Sequence, residues 1–345
     1  MIGLTSDVEL TTTNGIIALV NLDAQIDGLE AQATLGRLAA AQWANLIDLI
    51  TLRGQVLGCI ADYEHAAALA EELVNDLPAD GLAFLTRAKT RATFHHFTEA
   101  LADLDEAQRL GTKQTELDAE HAAIFQALGR YDEALALRRG AVEYRPDFAA
   151  LGALAGLQAE RGQVAEAERL FAAARGQYQS VSPFPLALLD FQRGVMWLGQ
   201  SNLSAARFWF EAARRRLPTY APALGHLAEV EAALGECEAA IIRLRPLAIA
   251  SDDPEYAAVL AGVTEKAGQF QEASRWRAQA AARYDELVAR HLAAFADHAA
   301  EFWLTVGADA ERALQLARQN LTIRQTPRAE ALYRRAVIAH EEIRR

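Results

Sequence analysis

Proline, cysteine and lysine are scarce in this chain, and each scarcity excludes something. Nine prolines in 345 residues leave long stretches in which a helix runs unbroken. Alternating β-branched and polar runs are missing after residue 20, so nothing there asks for a sheet. Cys59 and Cys237 are the only cysteines, far apart and without Cys-x-x-Cys or Cys/His spacing, which argues against a disulfide framework and a zinc site. Lysine occurs only at Lys89, Lys113 and Lys266, and the formal net charge is −12. Residues 1–80 hold twelve Asp and Glu against Arg37 and Arg53 alone, a surface that repels a phosphate backbone. No Gly-rich phosphate loop, GxSxG elbow or HExxH helix is present. The early apolar run GIIALVNL at 15–22 lacks a basic leader and falls short of the ~20 apolar residues that cross a bilayer. These gaps lead us to expect a cytoplasmic, soluble protein that is not an enzyme and carries no cofactor or metal.

What the chain does have is alanine and leucine in a repeating order. Aligned on the alanine after each turn, the anchors are Ala66, Ala100, Ala134, Ala167, Ala206, Ala240, Ala273 and Ala313, a 34-residue period with two insertions. Twelve positions before each anchor stand Gly54, Ala88, Ala122, Ala155, Gly194, Ala228, Ala261 and, exceptionally, Glu301. Small residues at both sites let two helices approach closely. Three positions before the anchor come mostly bulky residues, among them Tyr63, Phe97, Tyr131 and Phe270. Gly129, Gly162, Gly235 and Gly268 punctuate the turns, and Pro78, Pro146 and Pro218 stop the second helices.

This grammar resembles the tetratricopeptide repeat family. The best match is residues 115–148, where Ala122, Phe125, Gly129, Tyr131, Ala134, Ala141 and Pro146 fall in place. The resemblance covers about 47–327 in eight units and implies an all-α fold: an α-solenoid, or right-handed superhelix, of helix-turn-helix repeats with terminal capping helices. It also implies a concave wall lined by the first helix of each pair.

The expected organisation is an extension with a capping helix at 1–46, repeats one to four at 47–180, and a Pro-containing insertion at 181–186. Repeats five to seven with an extended helix follow at 187–293, then a degenerate repeat at 294–327 and a capping helix at 328–345. The prolines of SVSPFPLA are expected to bar helix continuation and weaken coupling between the halves. Arg53, Arg87, Arg193 and Arg335 stand where the family usually has leucine, and their heads are expected to reach carboxylates or helix ends.

By resemblance, the concave wall is where a partner would sit. Aromatics at first-helix positions of the fifth and eighth repeats, beside a fourth repeat nearly bare of side chains, direct the expected site to Phe191, Val195, His226, Glu229, Phe295, His298 and Phe302. The fitting occupant is a protein or peptide, as an amphipathic helix or extended segment; a nucleic acid does not suit the acidic chain. The Lys/Asn/Arg carboxylate clamp of some family members is not matched. The alternative is a metal-binding or catalytic protein using His291, His298 and Glu301, although His291 and His298 on one helix would stand about 10 Å apart. His95-His96 reads as a solvated turn.

Overall fold

The computed structural model describes residues 11–343, and among them there are seventeen helices and no strand. α1 (Gly15–Thr34) leads into eight antiparallel pairs. These are α2 (Ala40–Leu57) with α3 (Ile60–Asp76), α4 (Gly81–Thr93) with α5 (Phe97–Arg109), α6 (Gln114–Leu128) with α7 (Tyr131–Tyr144), and α8 (Phe148–Glu160) with α9 (Val164–Gly176). Then come α10 (Pro183–Gly199) with α11 (Leu203–Arg216), α12 (Ala221–Ala233) with α13 (Cys237–Ala250), and α14 (Pro254–Lys266) with the first part of α15 (Phe270–Leu304). The rest of α15 pairs with α16 (Ala310–Ile323), and α17 (Pro327–Ile343) closes the array.

The period is a packing device. All eight anchor alanines are at most 2% exposed, and the seven small residues upstream of them are buried as well. Phe270 departs from the pattern: it is largely exposed at the start of α15. The arginines that replace leucine each reach a carboxylate through two hydrogen bonds or more. Arg53 donates to Asp62 at 2.8 and 2.7 Å, Arg87 to Asp103 at 3.0 and 2.7 Å, and Arg335 to Glu301 at 2.8 and 2.7 Å, while Arg193 grips Glu168. The stem fills the leucine's place and the planar head satisfies its charge locally.

The boundaries differ from the expectation in two places. α2 starts at Ala40, so the first pair begins before residue 47. Pro183 opens α10 at its first turn, where a missing N–H costs nothing, so 181–186 is mostly helix rather than insertion. Leu189 and Met196 of α10 share a core with Leu151 and Phe171 of the preceding pair, and buried Asp190 lies between Arg175 (2.8 Å) and Arg216 (2.9 Å). Contacts therefore do cross the junction. The second insertion lengthens a helix, as its lack of glycine and proline implies; α15 runs 35 residues with non-helical backbone at His291 (φ −136°, ψ 54°).

A long-range seam sets the shape of the concave side. Turns of the first half dock on connections of the second half, in order along the chain. The Thr13 N–H donates to Val181 O at 2.7 Å, and Gly15 lies where a Cβ would stand 2.3 Å from Arg216 O. Leu52 and Val56 of α2 pack with Leu217, Tyr220 and Ala223. Asp252 caps α3 from outside its own pair, accepting from the Ile60 and Ala61 N–H groups at 2.5 and 3.0 Å, and the Ser251 hydroxyl donates to Gly58 O. Glu64 takes His291 and Arg290, each at 2.8 Å, and Phe94 stacks on the His291 ring at 4.3 Å. His95, at φ 58°, donates from Nδ1 to Ala293 O at 2.9 Å, so it is a seam residue and not a solvated turn. Finally the Gln325 N–H donates to Leu128 O at 3.2 Å. The coil is thereby closed along its side.

Candidate functional site

First helices of successive pairs carry the residues expected to line the concave wall. Phe191 of α10 is half-buried, with its ring 5.7 Å from Phe210, 5.4 Å from Tyr220 and 5.5 Å from His226. Val195, one turn on, is 40% exposed. His226 and Glu229 of α12 pair at 2.6 Å, one turn apart. Phe295 and His298 of α15 are half-buried, with the Phe295 ring 6.5 Å from His291.

Phe302 corrects the sequence reading. It is 3% exposed, packed 5.1 Å from the Tyr284 ring and in one core with Leu332 and Ala336 of α17. Tyr284 and Trp303 pack against it within that core, so it supports the wall without lining it. The three residues of the metal reading are likewise dispersed. His291 serves Glu64, Glu301 serves Arg335, and His298 lies 3.6 Å from Glu255. Among the described residues no group of three His, Cys, Asp or Glu could hold a metal ion.

Charged groups that the sequence reading missed meet inside. Arg328 of α17 forms no ion pair among the described residues, and its charge reaches Glu160 of α8, His226 of α12, and Asp297 and His298 of α15. Asp253 caps α14 through the Glu255 N–H at 2.9 Å. The sequence Asp-Asp-Pro-Glu at 252–255 signals that cap but not the enclosure around it. Burial pushes the Asp253 carboxyl up to about 7, and the neighbouring Glu255 charge adds to the rise. Burial also raises Glu120 and Glu160. Burial opposes charge on His226, but its hydrogen bond to Glu229 and that group's charge outweigh it and raise the imidazole. The Asp297 charge, with Glu255, raises His298 against burial. His95 goes the other way: burial, then the Arg324 charge, lower it to about 4, so it is neutral in its seam hydrogen bond at pH 7.

The Asp253 shift has a sign that can be checked. Its folded carboxyl holds its proton to about 7 while the unfolded one releases it near 3.8, so stability falls as pH rises between those values. Asn at this position keeps the helix cap and removes the charge. Asp253→Asn is expected to raise the denaturation midpoint at pH 8 and to leave it near wild type at pH 4. An equal midpoint at pH 8 would show that the carboxylate is well solvated.

No family model and no curated protein sequence matches the chain. Solved structures do. The human IFIT1 dimer with PPP-AAAA is similar at a TM-score of 0.56 and 15% identity, over 86% of this chain and 77% of that one. The Cut9–Hcn1 hetero-tetramer of the APC/C is similar at a TM-score of 0.54 and 13% identity, over 89% of this chain and 58% of that one. At such identities the likeness shows the fold, and the fold shared with these neighbours is the repeat α-solenoid. No helix of the described residues is long and apolar enough to cross a membrane.

Proposed function

We propose that this tetratricopeptide-type array is a non-catalytic scaffold that holds a polypeptide segment of a partner in its concave groove. The observation that carries the reading is Val195, an apolar side chain open to water on the inner wall beside the half-buried Phe191 ring. Such a strip suits a segment laid in by its hydrophobic face. Phe295, His298 and the His226–Glu229 pair supply neighbouring contacts, and none of them forms a nucleophile–base or metal arrangement.

The PPP-AAAA bound by human IFIT1 is not carried over. A triphosphate here would face Glu120, Glu160 and Glu255, none of which has a Lys or Arg of the described residues within ion-pair distance. The Cut9–Hcn1 assembly, in which the neighbour meets another protein, is the nearer analogy.

The test is site-specific crosslinking in the native cell. A photoreactive residue at Val195 is expected to capture a defined polypeptide, whereas one at exposed Ile242 on α13 is not. Val195→Glu is expected to weaken binding of that polypeptide at least tenfold without changing the fold, since the site already faces water. Phe191→Ala is expected to do the same while also loosening the ring cluster with Phe210 and Tyr220. Identical capture from both positions, or full affinity in Val195→Glu, would remove the groove as the binding surface.

A further inference from the structure

α1 is apolar on two faces, and the coil covers only one of them. Ala18, Leu22 and Ile26 are at most 7% exposed, and Leu22 and Ile26 share a core with Leu46, Ile47 and Ile50 of α2. On the opposite side a second stripe runs from the first turn to the cap in steps of three and four: Ile17, Val20, Ala24, Gly28, Ala31 and Leu35. All six are exposed, Ile17 at 56% and both Val20 and Leu35 at 61%. Among the residues exposed along α1, Asp27 alone is charged, whereas α3 exposes His65, Glu71, Glu72 and Asp76. A helix that is apolar all round is normally a buried one.

The order of sizes says what fits this face. Large residues stand toward the two ends and small ones in the middle, so the stripe reads nearly the same in either direction. Laid antiparallel on a second copy, about a two-fold axis level with Ile26, Ile17 meets Leu35 of the other copy, Val20 meets Ala31 and Ala24 meets Gly28. Small residues at the centre let the two backbones approach to about 8 Å while the larger side chains interdigitate at the ends. Gly28 leaves room for this, because no atom of its own chain lies within 4 Å of where its Cβ would stand. The stripe offers about 500 Å² per copy, so a pair buries about 1,000 Å², the lower bound for a specific interface.

We infer that this face joins two copies of the chain in a reversible, two-fold symmetric dimer through α1. The match is one of shape and apolar area. Charge opposes it, since each copy carries −12 and presents Asp27 at the rim, and salt screens that repulsion. The dimer is a second surface, and it does not rest on the groove reading.

Sedimentation velocity of the full chain tests it. Monomer is expected to pass into dimer between about 1 and about 100 µM, and added salt is expected to tighten the association. Gly28→Arg sets two like charges at the centre of the contact and is expected to weaken it about a hundredfold or more. In the monomer that side chain meets nothing and replaces a poor helix former, so the melting midpoint is expected to hold or rise. Gly140→Arg on α7, exposed and equally free of neighbours, is expected to leave association unchanged. A chain still monomeric at the highest concentration would overturn the inference, as would a Gly28→Arg dimer of wild-type affinity. Equal losses in both variants, or association weakened by salt, would assign the contact to charged groups elsewhere and overturn it too.

Discussion

A methyl group added at Gly129 or Gly58 is expected to break the seam, whereas the same methyl at Gly235 or Gly268 is expected only to strain a turn. All four glycines have positive φ, at 85°, 63°, 84° and 76°, so alanine costs each of them about 1 kcal/mol in backbone conformation. They differ in what the new carbon meets. At Gly235 and Gly268 nothing lies within 4 Å. At Gly129 the carbonyl oxygen of Gln325 would stand 2.3 Å away, and at Gly58 the buried Tyr256 ring would stand 2.7 Å away. A backbone carbonyl cannot rotate aside, so the seam has to part or the turn has to shift, at a further cost of about 1–3 kcal/mol. Urea denaturation of the four variants checks the size. Hydrogen exchange at the Ile60, Ala61 and Gln325 amides checks the place, because those donors lose their partners if the seam opens. Equal destabilisation in all four, with those amides still protected, would mean that the first half accommodates the methyls without moving.

Loss of Asp103 is expected to be more damaging still. This carboxylate is 4% exposed and accepts from Arg87 Nε and Nη2 and from Arg91 Nη1. Glu71 also serves both arginines, but it is half open to solvent. Asp103→Ala therefore strips two partly buried guanidinium groups of their enclosed counter-charge, and breaking such a buried pair typically costs about 3–5 kcal/mol. Glu301→Ala is the matched comparison, since it removes an equally well-formed bidentate pair with Arg335 in which both side chains are about half exposed. Water replaces that contact, and the expected cost is below about 1 kcal/mol. Chemical denaturation of the two variants separates the cases. Similar small losses would show that Arg87 and Arg91 are satisfied by Glu71 alone.

The repeat was legible because it is written in short-range terms. An alanine every 34 positions and a small residue twelve before it describe contacts inside one helix pair, and every such anchor is in the core. The arginines in place of leucine could be read as well, since a carboxylate lay within reach on the adjoining or next helix. The seam was not legible. Gly129 and Gly235 occupy the same place in the pattern and the same backbone region, yet only one has another chain segment against it. His95 read as a solvated turn because its partner, Ala293 O, belongs to another pair altogether. Of the candidate site, Phe191, Val195, His226, Glu229, Phe295 and His298 keep some accessible surface, but Phe302 does not. Position within a repeat reports which way a side chain points; it says nothing of how far neighbouring rings bury it. The same limit hid Arg328, whose significance depends on residues from three other pairs.

The seam also alters the order of events in time. Each helix pair is held by contacts between neighbours, which a growing array can make one step after another. The seam joins Ile60 to Asp252, His95 to Ala293 and Glu64 to His291, positions 192, 198 and 227 residues apart. Contacts of that span are slow to find, because a long loop has to close before any of them forms. Refolding should therefore build a coil with an open side first and shut it in a later, slower phase. On unfolding the side should part while the pairs still hold, so the earliest partly unfolded form of this chain is an open one.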